Sequence, residues 1–561
     1  MRDVLVPYEH NWRRASSRLD AVGREWGEFW TWLTDWPPDM FAVTSALLEY
    51  DSIYRLMVSP DPRLAPFVSG AIAAGWPNQQ EWLGEVRVLA RAWRSQLESA
   101  YSEADPAFTP PLDPLLRGFF ADCSRHLEAL TNRDADDPVD HTALTHLFAL
   151  HAVTDEACAG LGIPGAPNPL PSMAQEAELL LMEAGSLSRF APRLVRVLPK
   201  LRTPQRGLTL RSFSHHVAVT RTDVAVHWSP SPPPNYVADD DCERLEILVL
   251  PWPLDPNDIR IVPSPLVADP WLPPGWGYFD FDIAAELPVE RVIAAIQAAR
   301  ARAGGTIHGV LFPEAALTEA EFDRLTQTLD DSDLDVRFVL AGLRGLERNR
   351  ARLQIFGNPP VDQDKHHRWC VDGGQIEQYG LHGTLNQHRQ WWEHIELPPR
   401  RLTFVPASGW LTMCHVICED LARLDPIDQV IRAVAPTLLV ALLQDGPQLR
   451  TRWPGKFATV YADDPGCSVL TITSRAMARK FQSKHVDPDR GRVVALWSEP
   501  GGYPKELELA DGADGLWLSI QAARVTEYTA DGRSDEGWAA RLMLRTCDSI
   551  VIPASEPLTE R

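Results

Sequence analysis

Lysine is nearly missing from this chain. Of 561 residues only six are lysine, namely Lys200, Lys365, Lys456, Lys480, Lys484 and Lys505, so almost all of the 54 basic residues are arginine. Cysteine is sparse as well: eight in 561 cannot build a disulfide framework, and reduced thiols suit a cytoplasmic protein. Long apolar runs are missing too. No stretch reaches the roughly 18 apolar residues that span a bilayer, and the opening MRDVLVPYEHNWRRASSRLD has no apolar core of a secretory leader. A membrane partner is therefore not expected. Positive charge is in deficit, 54 basic against 76 acidic residues for a net charge of -22. Such a surface repels a phosphate backbone, so no nucleic-acid partner is expected. The sequence also contains neither a P-loop nor a G-x-S-x-G elbow.

What is present is the composition of an ordinary folded protein, 45% hydrophobic and 23% charged. The length exceeds what one core supports, so two domains are expected. Residues 1–205 read as an all-helical domain, with three-to-four spacing of apolar residues in WRRASSRLDAVGREWGEFWTWL, PDMFAVTSALLEYDSIYRLM and SMAQEAELLLMEAGSLSRFAPRLVRVL, the last with Ser172 as N-cap. Residues 206–561 are β-rich. The runs HHVAVTRTDVAVHW, RLEILVLPW, VRFVLAGL, WLTMCHVIC, TLLVALL, SVLTITS, RVVALW and GLWLSI alternate with helical stretches, which predicts a layered α/β domain. The Pro-rich segments SPSPPPN and VPSPLVADPWLPPGWG read as loops within that domain.

Two strand ends carry candidate chemistry. LTMCHVICEDLARLDPIDQVIRAV places Cys418 where an apolar strand gives way to Glu419, Asp420 and a helical pattern. Such a junction exposes a side chain at a sheet edge and turns backbone N–H groups toward an oxyanion, as a nucleophile requires. The alternative is a small buried hydrophobe, the usual fate of a free cysteine. GVLFPEAALT ends another strand in Pro313 and Glu314. An acid there can serve a cleft, or it can be a solvated loop residue.

In this order the segments resemble the nitrilase, or carbon–nitrogen hydrolase, superfamily. FPEAALT is similar to its glutamate motif and CHVICED to its cysteine motif, while FVLAGL followed by Asn358 resembles the strand and asparagine between them. WPGKFATVYADDPGCSVLTITSRAMARK resembles the helix and strand that follow the nucleophile, and the resemblance spans roughly residues 208 to 555. It implies a four-layer αββα sandwich behind the helical domain, a homodimer, and a Glu, Lys, Cys triad presented from strand ends. The usual lysine motif, a strand ending in Tyr, Arg, Lys and then His and Leu, does not occur at QIEQYGLHGTL. Lys365 in DQDKHHRW is the only lysine between Glu314 and Cys418, so the implied triad lysine falls there, with Arg389 as fallback. Taken alone, Lys365 reads as a surface charge. The second glutamate of the family, which bonds the lysine and positions substrate, falls on Glu393 in RQWWEHIEL. Trp391 and Trp392 before it either wall a pocket or belong to the core.

The implied reaction suits these residue types. A thiol with pKa near 8.5 is mostly protonated at neutral pH and needs a base and a cation to become and remain a nucleophile. Glu314 would take the Cys418 proton, and the sulfur would attack an amide, nitrile or carbamoyl carbon. Lys365 and the Glu419 backbone N–H would face the developing charge. A thioester would form and then be hydrolysed by water activated by Glu314, with no metal and no organic cofactor. The ICED tetrapeptide also resembles the glutaminase domains of certain synthetases, but no synthetase domain is visible, which favours a free amidase. The competing reading is a catalytically inactive nitrilase-fold binding or signalling module, similar to those fused to other domains in bacterial defence proteins; the displaced lysine motivates it.

Other patterns lead elsewhere. Tyr461, Ala462, Asp463 and Asp464 read as a helix end. Gly160, Gly162 and Gly165 match G-x-G-x-x-G without the strand-turn-helix context of a dinucleotide site. Cys414, His415 and Cys418, the pair His366 and His367, and His141, His146 and His151 at five-residue spacing all fail to converge as metal ligands.

Overall fold

The computed structural model describes residues 2–16, 26–55, 79–102, 113–131, 141–163, 170–230, 232, 236–239, 241–265, 272–423, 427–482 and 487–552. Two compact units divide the chain: Met1–Trp228 with Gln429–Ala435 and Arg524–Ala539, and Ser229–Asp428 with Pro436–Ala523 and Ala540–Arg561. Among the described residues no helix is long and apolar enough to cross a membrane.

The first unit contains helices α1 (Arg2–Ser16), α2 (Trp26–Leu33), α3 (Pro37–Glu49), α4 (Gln79–Ser102), α5 (Pro114–Thr131), α6 (His141–Ala157) and α7 (Pro171–Ala184). It is not wholly helical. α7 stops at Gly185, whose φ of 62° is left-handed, and the helical reading fails beyond it: Arg196–Pro199 forms strand β1, antiparallel to β2 (Val217–Thr220). The β-branched Val197 and its neighbours are fully buried there, so sheet pairing overrides the apparent helical period. Ser172 does not cap α7. The helix begins one residue earlier at Pro171, with Leu170 at the cap position, and the Glu98 carboxylate accepts the amides of Ser172 and Met173 at 3.0 and 3.1 Å. Strand β3 (Ala225–Trp228) closes this stretch, and the expected boundary at 205 falls inside the unit.

Trp12, Trp36, Trp93, Phe29 and Phe190 fill this core. A buried ionic cluster accompanies them. Arg533, fully buried, donates to Asp155 at 2.8 Å, Glu156 at 3.0 Å and Asp531 at 2.9 Å. Asp155 in turn accepts the backbone amides of His215 and His216 at 2.8 and 2.9 Å.

The second unit places apolar runs in two large sheets. One is ordered β11–β10–β9–β7–β4–β20–β21, from β4 (Arg244–Val249), β7 (Gly309–Leu311), β9 (Phe338–Gly345), β10 (Arg348–Ile355), β11 (Val361–Asp364), β20 (Gly515–Val525) and β21 (Ala539–Ile550), with β8 (Leu317–Thr318) also on β9. The other runs β19–β18–β17–β16–β15–β14 within this unit, from β14 (Arg401–Pro406), β15 (Thr412–Ile417), β16 (Leu438–Leu443), β17 (Ser468–Thr473), β18 (Val493–Ser498) and β19 (Lys505–Glu508). A smaller sheet joins β5 (Ile259–Pro263), β6 (Trp276–Ile283), β13 (Gln390–Glu393) and β12 (Cys370–Val371).

The central strands are parallel: β4, β7 and β9 in one sheet, β15, β16 and β17 in the other. Parallel strands are covered on both faces, and the uninterrupted burial of β15, β16 and β17 follows. Helices α8 (Val289–Ala303) and α9 (Glu319–Asp330) bury Val292, Ile296, Phe322 and Leu325 against Leu248, Val310 and Val339. Thr318 and Glu321 form a capping box that starts α9 directly after the Glu314 segment. β10 and β11 of this sheet also contact β15 and β14 of the other.

Arg533→Met is expected to destabilise the protein by about 3–5 kcal/mol, because Asp155 and Asp531 would be left buried without their cation. Urea titrations monitored by circular dichroism check this; an unchanged midpoint would show that the cluster contributes no net stability.

Candidate active site

The site is built at the carboxyl ends of parallel strands, where an open α/β sheet presents side chains at its edge. β7 ends at Leu311, and the chain turns through Phe312 and Pro313 to Glu314, which is 3% exposed. The turn needs Ala315 at φ 50°, a left-handed conformation unusual for a residue with a side chain. Gly342 on β9 makes room for it. A Cβ at that position would lie 2.4 Å from both Glu314 Cα and Ala315 N, and the Gly342 amide instead donates to Pro313 O at 3.1 Å.

Lys365 follows β11 directly and is 1% exposed. It is no surface charge. Its Nζ donates to Glu314 Oε1 at 2.7 Å and to Glu393 Oε2 at 2.6 Å. Asn349, on β10, ties the same two acids together, its Nδ2 donating to Glu314 Oε1 at 2.8 Å and Glu393 Oε1 at 2.6 Å. The Asn349 carbonyl accepts the Lys365 amide at 3.0 Å. Glu393, at the end of β13, also accepts the Trp369 amide at 3.1 Å.

Cys418 leaves the end of β15 with φ 50° and is 5% exposed. A left-handed cysteine costs about 1–3 kcal/mol of backbone strain, a feature that clusters at functional sites. Asp420, two residues on, joins this turn to the lysine loop. It accepts the His366 amide at 2.9 Å and meets the His367 ring at 2.7 Å. The Glu419 carboxylate is paired with Arg423, leaving its main chain as the part of the residue adjacent to the sulfur.

The electrostatics are set by burial. Burial pushes the Glu314 carboxyl up, Lys365 pulls it down and Glu393 pushes it up again, for a net rise. Burial alone would lower Lys365, yet Glu314 and Glu393 outweigh it and hold the ammonium well above its usual range. Burial and then Glu314 raise the Cys418 thiol, against an opposing pull from Lys365. The resting site is thus a protonated thiol beside an ionised lysine. Among the described residues, Glu314 Oε2 is buried with no hydrogen-bond partner.

Other sequence-derived candidates fall outside. Arg389 is exposed, and with Lys365 between the two glutamates no substitute cation is required. Asn358 lies in the turn after β10, its amide on Ile355 O at 3.0 Å; the asparagine of the site is Asn349, on the strand itself. Trp391 is core, 6% exposed, packed with Phe279 and Ile376, while Trp392 meets Trp276 at 5.4 Å. Cys414 and His415 are buried inside β15. Residues 366–369 are not strand, and Asp420 gathers both His366 and His367. His146 bonds Thr142 O at 2.7 Å, and His151 bonds Thr44 at 3.0 Å, whereas the His141 side chain lies outside the described residues. Asp463 ends its helix, Trp453–Asp463. Gly160 and Gly162 sit in a left-handed turn after α6, and Gly165 is outside the described residues.

One ligand-like group escaped the spacing of the histidines. Asp155, Glu156 and His216 lie close enough together to share a cation, but the Arg533 guanidinium already engages both carboxylates. Asn349 and Gly342 also had no signal of their own, since each acts only through its strand register.

No protein-family model and no curated protein matches the chain. Solved structures do. It is similar to an amidase from Nesterenkonia sp. at 14% identity over 49% of this chain and 89% of that one, with a TM-score of 0.29. It is similar to Saccharomyces cerevisiae Nit3, a member of branch 10 of the nitrilase superfamily, at 9% identity over 51% of this chain and 92% of that one, with a TM-score of 0.30. A glutamine-dependent NAD+ synthetase from Acinetobacter baumannii matches at 10% identity over 49% of this chain and 45% of its own, with a TM-score of 0.28. At such values the chemistry has to be argued from the side chains themselves.

Gly342→Ala is expected to cost about 1–3 kcal/mol through overpacking and to displace Glu314. Gly345→Ala on the same strand, whose added methyl meets nothing nearer than Arg348 Cβ at 3.9 Å, is expected to stay within about 0.5 kcal/mol. Paired urea titrations separate the two; equal effects would show that Gly342 is not a spacing requirement.

Proposed function

We propose that the second unit is a four-layer αββα nitrilase-like sandwich that hydrolyses a carbon–nitrogen bond of a small amide, nitrile or carbamoyl compound. The observation that carries this reading is the buried Lys365 ammonium between Glu314 and Glu393, at 2.7 and 2.6 Å, with Glu314 Oε2 unpaired among the described residues and the Cys418 thiol raised by burial and Glu314 and lowered by Lys365. A charge network of this kind is costly to bury.

In this mechanism Glu314 Oε2 takes the Cys418 proton as the sulfur attacks the carbonyl or nitrile carbon. The negative charge that develops on the substrate oxygen or nitrogen meets Lys365 Nζ and the Glu419 backbone N–H. From an amide or carbamoyl substrate Glu314 then returns the proton to the leaving nitrogen, releasing ammonia or an amine and leaving an acyl thioester on Cys418; from a nitrile the first adduct is a thioimidate, and one water must add to its carbon before ammonia leaves and the same thioester remains. Water, deprotonated by the same carboxylate, cleaves the thioester and restores the thiol. Glu393 and Asn349 are positioning residues that hold Lys365 and Glu314 in register. The left-handed backbone at Cys418 and the Asp420 link to the lysine loop keep the sulfur at the mouth of this arrangement.

Incubation with a panel of short amides is expected to release ammonia and to leave an acyl adduct on Cys418 detectable by mass spectrometry. Cys418→Ala should abolish both, and Glu314→Gln should lower turnover by about 10²–10⁴-fold. Failure of every amide and nitrile to give either signal would sink the hydrolase reading. The pH profile gives a separate check. Because Glu314 must be ionised and burial raises it, the acid limb of kcat/KM is expected above the ordinary glutamate value of about 4.3, activity being lost as pH falls through that limb.

A further inference from the structure

Beyond the triad, a second set of buried polar atoms opens at the same sheet edge. β16 runs parallel to β15, with Ile417 paired to Leu442. Cys418 therefore leaves β15 beside the end of β16, where Gln444 and Asp445 follow Leu443. Gln444 is 4% exposed, and neither its Nε2 nor its Oε1 has a hydrogen-bond partner. Asp445 is 6% exposed and uses only one carboxylate oxygen: Oδ1 accepts from Tyr379 Oη at 2.5 Å and from Arg452 Nη2 at 2.8 Å, while Oδ2 has no partner.

Three unsatisfied polar atoms on two adjacent buried residues are far from ordinary. Leaving one such group unmet costs about 1–3 kcal/mol, and native interiors hold few of them. Asp445 is also held in place from several sides. Thr473 Oγ1 donates to its carbonyl at 2.6 Å, and Arg452 is braced by Pro447 O at 3.1 Å and lies 4.0 Å over the Phe481 ring. Gly446 permits this packing, since a Cβ there would meet the Phe481 ring at 2.5 Å and Arg452 Nη1 at 2.7 Å. The free oxygen is thus preorganised and not a mobile end. Among the described residues, the ion pairs here are unequal: Glu314 and Glu393 share Lys365 while Asp445 pairs with Arg452, three acids to two cations. An incoming cation would balance them, and an incoming carboxylate would add to the excess.

We propose that Gln444 and Asp445 form a specificity subsite beside Cys418 that accepts a cationic nitrogen, a primary ammonium or guanidinium, at the far end of the acyl portion of the substrate. The ammonium would donate to Asp445 Oδ2 and Gln444 Oε1, leaving Gln444 Nε2 for an acceptor on the same substrate. This deepens the proposed hydrolase reading and rests on it for the word substrate, but the subsite itself is testable without turnover.

The test uses three methanethiosulfonates of similar size on the full chain: aminoethyl (cationic), ethyl (neutral) and sulfonatoethyl (anionic). The Cys418 sulfur attacks the sulfenyl sulfur, forming a mixed disulfide and expelling methanesulfinate. Peptide mass spectrometry reads labelling at Cys418 apart from the other thiols. The cationic reagent is expected to label Cys418 about tenfold faster than the neutral one, and the anionic one more slowly still. Asp445→Asn should reduce the cationic preference to about twofold or less, whereas the near-isosteric Gln444→Glu should increase it. Equal rates for the three reagents, an anionic preference, no labelling of Cys418, or a cationic preference that survives Asp445→Asn would overturn the subsite. Ammonia release from amides is scored separately: charge-selective labelling without hydrolysis of any amide would keep the subsite and remove the hydrolase reading, and hydrolysis without charge selectivity would do the reverse.

Discussion

One ammonium organises the second unit. Lys365 is buried between two carboxylates, and each of the three is contributed by a different strand end. An isolated ion in such surroundings would lose several kcal/mol of hydration. The arrangement survives because the opposite charges are in direct contact and Asn349 donates to both acids, to the Glu314 Oε1 that Lys365 also bonds and to the other oxygen of Glu393. Removing any one member would leave the others uncompensated, so the network dictates the local geometry far more than it adds net stability. That makes β7, β10, β11 and β13 converge with little latitude, and Gly342 is the steric consequence: only a residue without Cβ lets the Glu314 turn lie against β9.

The second constraint is topological. Parallel strands send all their carboxyl ends to one edge, and the side chains that leave the sheet there are free of the ladder. Glu314 follows β7, Cys418 follows β15 and Gln444 follows β16. The two strained residues with side chains in this region, Ala315 and Cys418, both have φ 50° and both occur where a strand must stop abruptly. Asp420 then joins the turn that contains Cys418 to the loop that carries Lys365.

How much of this was legible follows from what each residue does. All eight apolar β-runs form strands, because a short buried strand, parallel or antiparallel, announces itself as an apolar or alternating stretch rich in Val, Leu and Ile. Strands such as β10, RNRARLQI, and β19, KELE, carry too many charges to be recognised that way; neighbours in the sheet decide them. Glu314 and Cys418 could be singled out because they stand at the ends of apolar runs. Lys365 was reachable only through the scarcity of lysine combined with a family resemblance, since nothing in DQDKHHRW signals burial. Asn349 and Asp445 had no local signal at all. An asparagine within a charged strand and an aspartate before Gly446 look solvated until pairing with β9, or the end of β16, puts them inside. In the first unit, Arg196–Pro199 misled for the same reason: RVLP continues a helical apolar spacing, and only pairing with β2 makes it a strand.

On the proposed reading, the same burial that assembles the site also governs when its nucleophile exists. Burial raises both Glu314 and Cys418, so a thiolate formed in advance would add a charge to a dry site already containing two carboxylates and one ammonium. In cysteine sites where an imidazolium sits beside the sulfur, a standing ion pair is favourable; here the cation is already shared by two acids. The proton is therefore best held on sulfur until a substrate carbon is in reach. At that point the charge leaving the thiol can pass to the substrate oxygen or nitrogen facing Lys365, instead of resting on sulfur. On the proposed reading, attack and proton transfer to Glu314 Oε2 are coupled for an electrostatic reason: each alone creates a buried charge without a partner, and only together do they keep the charge balance of the Glu314, Lys365 and Glu393 cluster.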